Sequence, residues 1–123
     1  VMEQHARKRG IMLLVNPWDK QSADVIEKLL HVPFYKIGSP DMTNDELLEY
    51  VARFKKPMIL STGMSRESEI EHAVKLMRDL DVSFALLHCN NTYPAPFDEI
   101  NLRYMEKLQV VHILPPLASL RLF

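Results

Sequence analysis

The chain has 123 residues, 47% of them hydrophobic and 25% charged, with a formal net charge of −1, the composition of one globular domain without a disordered tract. Its charges are interspersed, and the one basic cluster, Arg7-Lys8-Arg9, is too short to neutralise a run of phosphates, which argues against a nucleic-acid partner. A lone cysteine closes no internal disulfide and the longest clean apolar run, Ile11 to Val15, is far too short for a bilayer, so a reduced, cytoplasmic chain with no membrane partner is expected.

In chain order, Ile11 to Val15 reads as a first strand. No signal peptide precedes it, and a start on Val1 suggests an upstream part. A helix follows, with Ser22 as its cap and Val25, Ile26, Leu29 and Leu30 as its apolar stripe, ended by Pro33. Phe34 to Ile37 is the second strand. Thr43-Asn44-Asp45-Glu46 has the form of a capping box, in which Thr43 and Glu46 satisfy each other's backbone donors. Leu47, Leu48, Val51 and Phe54 then share one helix face, and Lys55-Lys56-Pro57 closes the helix. Met58 to Leu60 is the third strand. A helix capped by Ser65 runs to Leu80 and buries Ile70, Val74 and Met77. Phe84 to Leu87 is the fourth strand.

This β-α alternation requires parallel strands covered by helices, so the fold class is α/β: either an open doubly wound sheet or part of a (β/α)8 barrel. Periodicity does not choose between them. The unusual polar residues do share one feature. Asn16 and Asp19 follow the first strand, Ser39 and Asp41 the second, Ser61 and Thr62 the third, Asn91 and Tyr93 the fourth. Loops at the carboxyl ends of parallel strands converge and bind ligands in both architectures. Lys36, inside the second strand, should share a face with Phe34. An ammonium pointing into a helix layer is costly, whereas one pointing along a barrel axis can meet an anion, which modestly favours the barrel.

Asn16, Ser39, Ser61 and Asn91 around Lys36 would suit phosphate or carboxylate. Against this, Ser and Asn commonly make turns and caps after strands. Gly10, Gly38 and Gly63 are the only glycines and form neither a dinucleotide fingerprint nor a P-loop. His72 lies on a helix, and His5 and His31 lie near helix ends, so each reads as a solvated or capping residue rather than a ligand. His88 and Cys89 are neighbours in a strand and point to opposite faces, a poor nucleophile and base. Cys89 reads as buried and inert; His88, on the face of Leu86, would line the pocket floor if Lys36 points into a barrel.

The motifs "FYKIGSPDMTN", "KPMILSTGM" and "ALLHCNNTYPAPFDEINL", in this order and spacing, closely resemble the sialic acid synthase family: N-acetylneuraminate synthases and relatives that make legionaminic and pseudaminic acids. The resemblance covers roughly residues 1 to 109. It implies a (β/α)8 barrel transferase of carbohydrate biosynthesis that condenses phosphoenolpyruvate with an N-acetylmannosamine-type sugar in its aldehyde form, giving a nonulosonic acid and phosphate. A divalent metal, Mn2+ or Mg2+, assists in the parent enzyme, which the resemblance implies is a homo-oligomer.

By the same resemblance, Lys36 and Ser39 hold phosphoenolpyruvate, and Ser61, Asn91 and Tyr93 line that site. Asn16 stands where relatives often carry threonine. Asp41 stands where many carry the glutamate that positions the sugar, one methylene shorter, with Pro40 in place of glycine. A full barrel takes roughly 250 residues, so the chain would supply about four to five of eight units, without the family's first strands and metal-binding histidines. No metal site is therefore expected in this chain, and His112 is not taken as a ligand. Residues 110–123, "VVHILPPLASLRLF", lack the resemblance and suggest a frameshifted or truncated end, although Val110 to Leu114 has the pattern of a strand. An inactive fragment that self-associates through open edges is expected, with a free-standing small-anion-binding α/β domain, or a gene product without activity, as alternatives.

Overall fold

The structure, a computed structural model, describes residues 2–30 and 32–111. Five helices, α1 (Met2–Lys8), α2 (Lys20–Leu29), α3 (Asp45–Ala52), α4 (Glu67–Asp79) and α5 (Tyr104–Val111), accompany three strands, β1 (Tyr35–Ile37), β2 (Met58–Ser61) and β3 (Phe84–Leu87). Short 3-10 turns occupy Ser39–Asp41 and Phe97–Glu99, and the Tyr93–Pro94 peptide is cis.

The strands form one parallel sheet in the order β1-β2-β3. Right-handed crossovers that always step the same way place successive helices on one face, whereas a doubly wound sheet needs a reversal of order. The buried core agrees: Tyr35, Ile37, Met58, Leu60 and Phe84 pack with Ala23 and Ile26 of α2, Leu48 and Val51 of α3, and Val74 and Met77 of α4. On the opposite face Lys36, Ile59 and Ala85 stand in register across the three strands, all half-buried. Lys36 thus points away from the helices, and the desolvation that a helix layer would impose is avoided.

Polar ties join the layers at their rims. Tyr35, fully buried, donates its hydroxyl to Glu27 Oε2 (2.6 Å), which also accepts from Lys56 Nζ (2.6 Å). Burial and this carboxylate push the Tyr35 phenol well above its ordinary range, so it remains a donor. Tyr50 Oη donates to Asp24 (2.8 Å), and Lys20 pairs with Glu46, linking α2 to α3. His72 Nε2 meets Asp45 Oδ2 at 2.7 Å, linking α4 to α3.

Several sequence expectations are corrected. Ile11–Val15 is not a strand: no ladder joins it to β1, Ile11, Met12 and Leu14 are exposed, and only Val15 packs against the core. An apolar run becomes a strand only when an edge pairs with it, and β1 leaves this edge unpaired among the described residues. α2 buries Ala23 and Ile26 with Leu30 behind them, while Val25 and Leu29 are 53% and 58% exposed. The strand pattern proposed for Val110–Leu114 starts inside α5, which runs through 111; the remainder lies outside the described residues, as do His31 and His112.

The caps also shift. Asp19, not Ser22, caps α2: its Oδ1 accepts from Ser22 N (2.6 Å), and Ser22 Oγ accepts from Asp19 N (3.1 Å). Asn44 rather than Thr43 caps α3, accepting from Leu47 N at 3.2 Å. At α4 the boundary residue is Arg66, whose N–H donates to Glu69 Oε2 (2.6 Å), and the buried Ser65 Oγ has no partner among the described residues. Where several cap-forming residues are adjacent, the backbone conformation entering the helix selects among them.

The Ser22 N–H holds the Asp19 carboxyl below its ordinary value of 3.8. The folded-state pKa is therefore the lower one, and the cap contributes stability above about pH 4 that is lost as the pH falls through that depressed value. Acid unfolding followed by circular dichroism should lose part of this dependence in Asp19→Asn; an identical acid limb in the variant would contradict the cap.

Candidate functional site

The site lies at the carboxyl ends of the three strands. β1 runs directly into Gly38 and the turn Ser39–Asp41, where Pro40 presets the backbone and Asp41 N–H donates to Gly38 O (3.0 Å). The turn is held from both sides. Asn16 Oδ1 accepts from Gly38 N–H (3.0 Å), and Ser39 Oγ accepts from Gly63 N–H (3.1 Å) in the loop after β2. Asn16 thus reaches the site from a segment that is not a strand, and Asp19, the other polar residue of that segment, is committed to its helix cap.

Lys36 and Ser61 share the helix-free face, because Lys36 is in register with Ile59 and side chains two apart along a strand point the same way. Lys36 is half-buried and enters no ion pair among the described residues. Ser61 is only 3% exposed. Thr62 is structural: its Oγ1 and its N–H both donate to Leu87 O (2.9 and 3.1 Å), fastening the end of β2 to β3. Asp41 is half-buried in the turn beyond Ser39.

After β3 the chain opens into a loop. Asn91 is exposed and lines a polar cleft of about 310 Å3 whose other walls include Gly63, His88, Cys89, Asn90 and Glu99. Asn90 Oδ1 accepts from Thr92 N–H (2.7 Å), which shapes the start of this loop. Tyr93 is fully exposed, so the loop is not folded against Lys36 in this structure.

His88 and Cys89 lie just past the end of β3 rather than within a strand, and both border the cleft at Asn91, which does not include Lys36. Lys36 is in register with Ala85 through Ile59, so His88 belongs to the other face with Leu86. Its Nε2 donates to Ile100 O (2.6 Å) and its ring lies 5.6 Å from that of Tyr104, on the α5 side. Cys89 is half-buried rather than buried, and its carbonyl and Cβ lie where a Cβ on residue 63 would have to fit. His72 is exposed and paired with Asp45, as a surface histidine. Sequence reasoning missed Gly38 and Gly63, whose backbone N–H groups hold the turn; a glycine within two residues of the carboxyl end of a strand was the available signal.

Among the described residues no three His, Cys, Asp or Glu side chains come together in a way that could hold a metal ion, and no helix is long and apolar enough to cross a membrane.

Comparison with known proteins places these residues in context. The chain is 40% identical over 115 residues to an uncharacterised protein of Methanocaldococcus jannaschii, covering 93% of this chain and 34% of that one. It is 39% identical over 108 residues to the N,N'-diacetyllegionaminic acid synthase of Campylobacter jejuni, covering 85% and 32%. The crystal structure of the N-acetylneuraminic acid synthetase of Leptospira borgpetersenii, in complex with citrate, superposes with a TM-score of 0.88 at 31% identity, covering 93% of this chain and 40% of that one. The chain therefore spans about a third of the length of the curated relatives it matches. The NeuB family model matches residues 1–115, and with that match the chain belongs to the NeuB family.

Proposed function

We propose that the chain forms the phosphoenolpyruvate-holding part of a (β/α)8 barrel synthase that joins phosphoenolpyruvate to an N-acetylmannosamine-type sugar, water supplying the oxygen at the carbon that loses phosphate, and yields a nonulosonic acid and phosphate. One observation carries the reading: Lys36 and Ser61 share a sheet face free of helices, and the turn bearing Ser39 and Asp41 is fastened at the carboxyl end of that same sheet. One-sided helices and a strand order without reversal support a barrel wall, whose inner face would be this one.

The chemistry follows from charge. Phosphoenolpyruvate brings a phosphate and a carboxylate, and Lys36 offers an ammonium not already spent on a carboxylate among the described residues. Ser39 and Ser61 supply hydroxyl donors, and Asn91 and Tyr93 reach the anion when their loop closes. As the C–O bond breaks, charge grows on the departing phosphate, and donors fixed beforehand stabilise it most. Asp41 accepts from sugar hydroxyls on the rim side, its shorter reach favouring a sugar held closer to the turn. The described residues do not fit the divalent cation of the family, so the role of this chain rests on Lys36 and its hydroxyl and amide neighbours.

Nuclear magnetic resonance titration tests the proposal. Phosphoenolpyruvate should shift and saturate the backbone signals of Lys36, Ser39 and Ser61, with N-acetylmannosamine alone leaving Lys36 in place. Millimolar phosphoenolpyruvate without an effect at these positions would overturn it.

A further inference from the structure

We infer that Gly63 is a positioning residue: its backbone N–H occupies one lone pair of the Ser39 hydroxyl and thereby leaves the hydroxyl proton free to donate to a bound anion. The inference rests on the phosphoenolpyruvate reading of the site and adds a residue that this reading did not contain.

A serine hydroxyl has one proton and two acceptor lone pairs, and its rotor turns to suit its neighbours. Left alone, Ser39 could turn its proton to a backbone carbonyl and present a lone pair to the phosphate, which would repel. Gly63 N–H, 3.1 Å from Ser39 Oγ, removes that freedom from one side. A donor whose oxygen already accepts a hydrogen bond is also polarised, so its own donated bond strengthens.

The residue type follows from space. A Cβ at position 63 would meet Cys89 O at 3.0 Å, Cys89 Cβ at 3.1 Å and Ser39 Oγ at 3.2 Å. Any side chain must therefore push Ser39 or the segment just after β3 away. Gly10 is the glycine with positive φ among those described, so what matters at Gly63 is close approach and not an unusual backbone conformation. On the other side Asn16 Oδ1 holds Gly38 N–H. The turn carrying Ser39 is thus pinned between the segment before α2 and the loop after β2, and the direction of one hydroxyl follows from both.

The test follows the Gly63 amide proton while phosphoenolpyruvate is titrated into the wild-type chain, Ser39→Ala and Gly63→Ala. A Ser39 hydroxyl donating to the ligand should pull the Gly63 amide proton downfield at saturation. Ser39→Ala should abolish that shift and weaken binding by about tenfold. Gly63→Ala should weaken binding by a similar factor, with no further loss in the double variant, because both remove one unit. If Gly63→Ala does not fold, the amide shift in the wild type and Ser39→Ala decides alone. Wild-type binding that leaves the Gly63 amide unmoved, or losses that multiply in the double variant, would overturn the inference while the site reading stands. A wild-type chain that binds no phosphoenolpyruvate removes the site reading and this inference with it.

Discussion

Replacing Lys36 with alanine is expected to weaken phosphoenolpyruvate binding by about 10- to 100-fold, since a hydrogen bond to a charged group contributes about 1.5–3 kcal/mol. The effect should be large because the ammonium is half-buried on the helix-free face and enters no ion pair among the described residues, so its charge is not already neutralised. Lys36→Arg restores the charge but replaces a compact ammonium with a planar fork, and should recover only part of the loss. The wild-type affinity should fall with added salt, and that dependence should flatten in Lys36→Ala. Calorimetric titration at two ionic strengths measures all three. An affinity unchanged by the alanine would separate the ligand from the β1 face altogether.

The largest stability effect is expected at Leu60. It is fully buried in the central strand, in register between Ile37 and Leu86, and belongs to the core packed beneath the helices. Truncation to alanine removes its transfer energy and leaves a cavity bounded by two strands that cannot collapse without losing their ladder, which costs about 2–5 kcal/mol. That is a large fraction of the folding free energy of about 5–15 kcal/mol typical of a single domain. Val25→Ala, at a position 53% exposed, serves as the contrast and should change stability by less than about 1 kcal/mol. Urea unfolding followed by circular dichroism compares them; equal midpoints would contradict the placement of Leu60 in the core.

How far the sequence could be read depended on the range of the interactions involved. Three of the four strands expected are present, β3 over the predicted residues and β1 and β2 within one residue of them. The stripes of α3 and α4 bury Leu47, Leu48 and Val51, and Ile70, Val74 and Met77, as their spacing demanded. The helix caps were displaced because Ser, Thr, Asn and Asp all accept backbone donors, and Asp19 and Asn44 had competitors within three residues. The stripe of α2 was misread for the same reason: Ala23 carries little hydrophobic signal, yet it is the residue that the cap at Asp19 turns toward the sheet.

Element type, and the placement of Lys36 within β1, of Ser61 at the end of β2 and of Ser39 and Asn91 in the segments after β1 and β3, were legible because both depend on neighbours a few positions away, through the periods of 2 and 3.6 and through turn chemistry. The family, too, was carried by contiguous motifs. Partner identity is non-local and was not legible. That Ile11–Val15 stays unpaired, that His88 turns to Ile100 and Tyr104 while Lys36 faces the helix-free side, and that Asn16 and Gly63 hold the same turn all depend on strand register and on residues 12 to 24 positions apart meeting in space. Those contacts form only once the sheet and its helix layer have packed, because a backbone donor's partner is set by which chain segment arrives beside it and not by the residues that flank it in sequence.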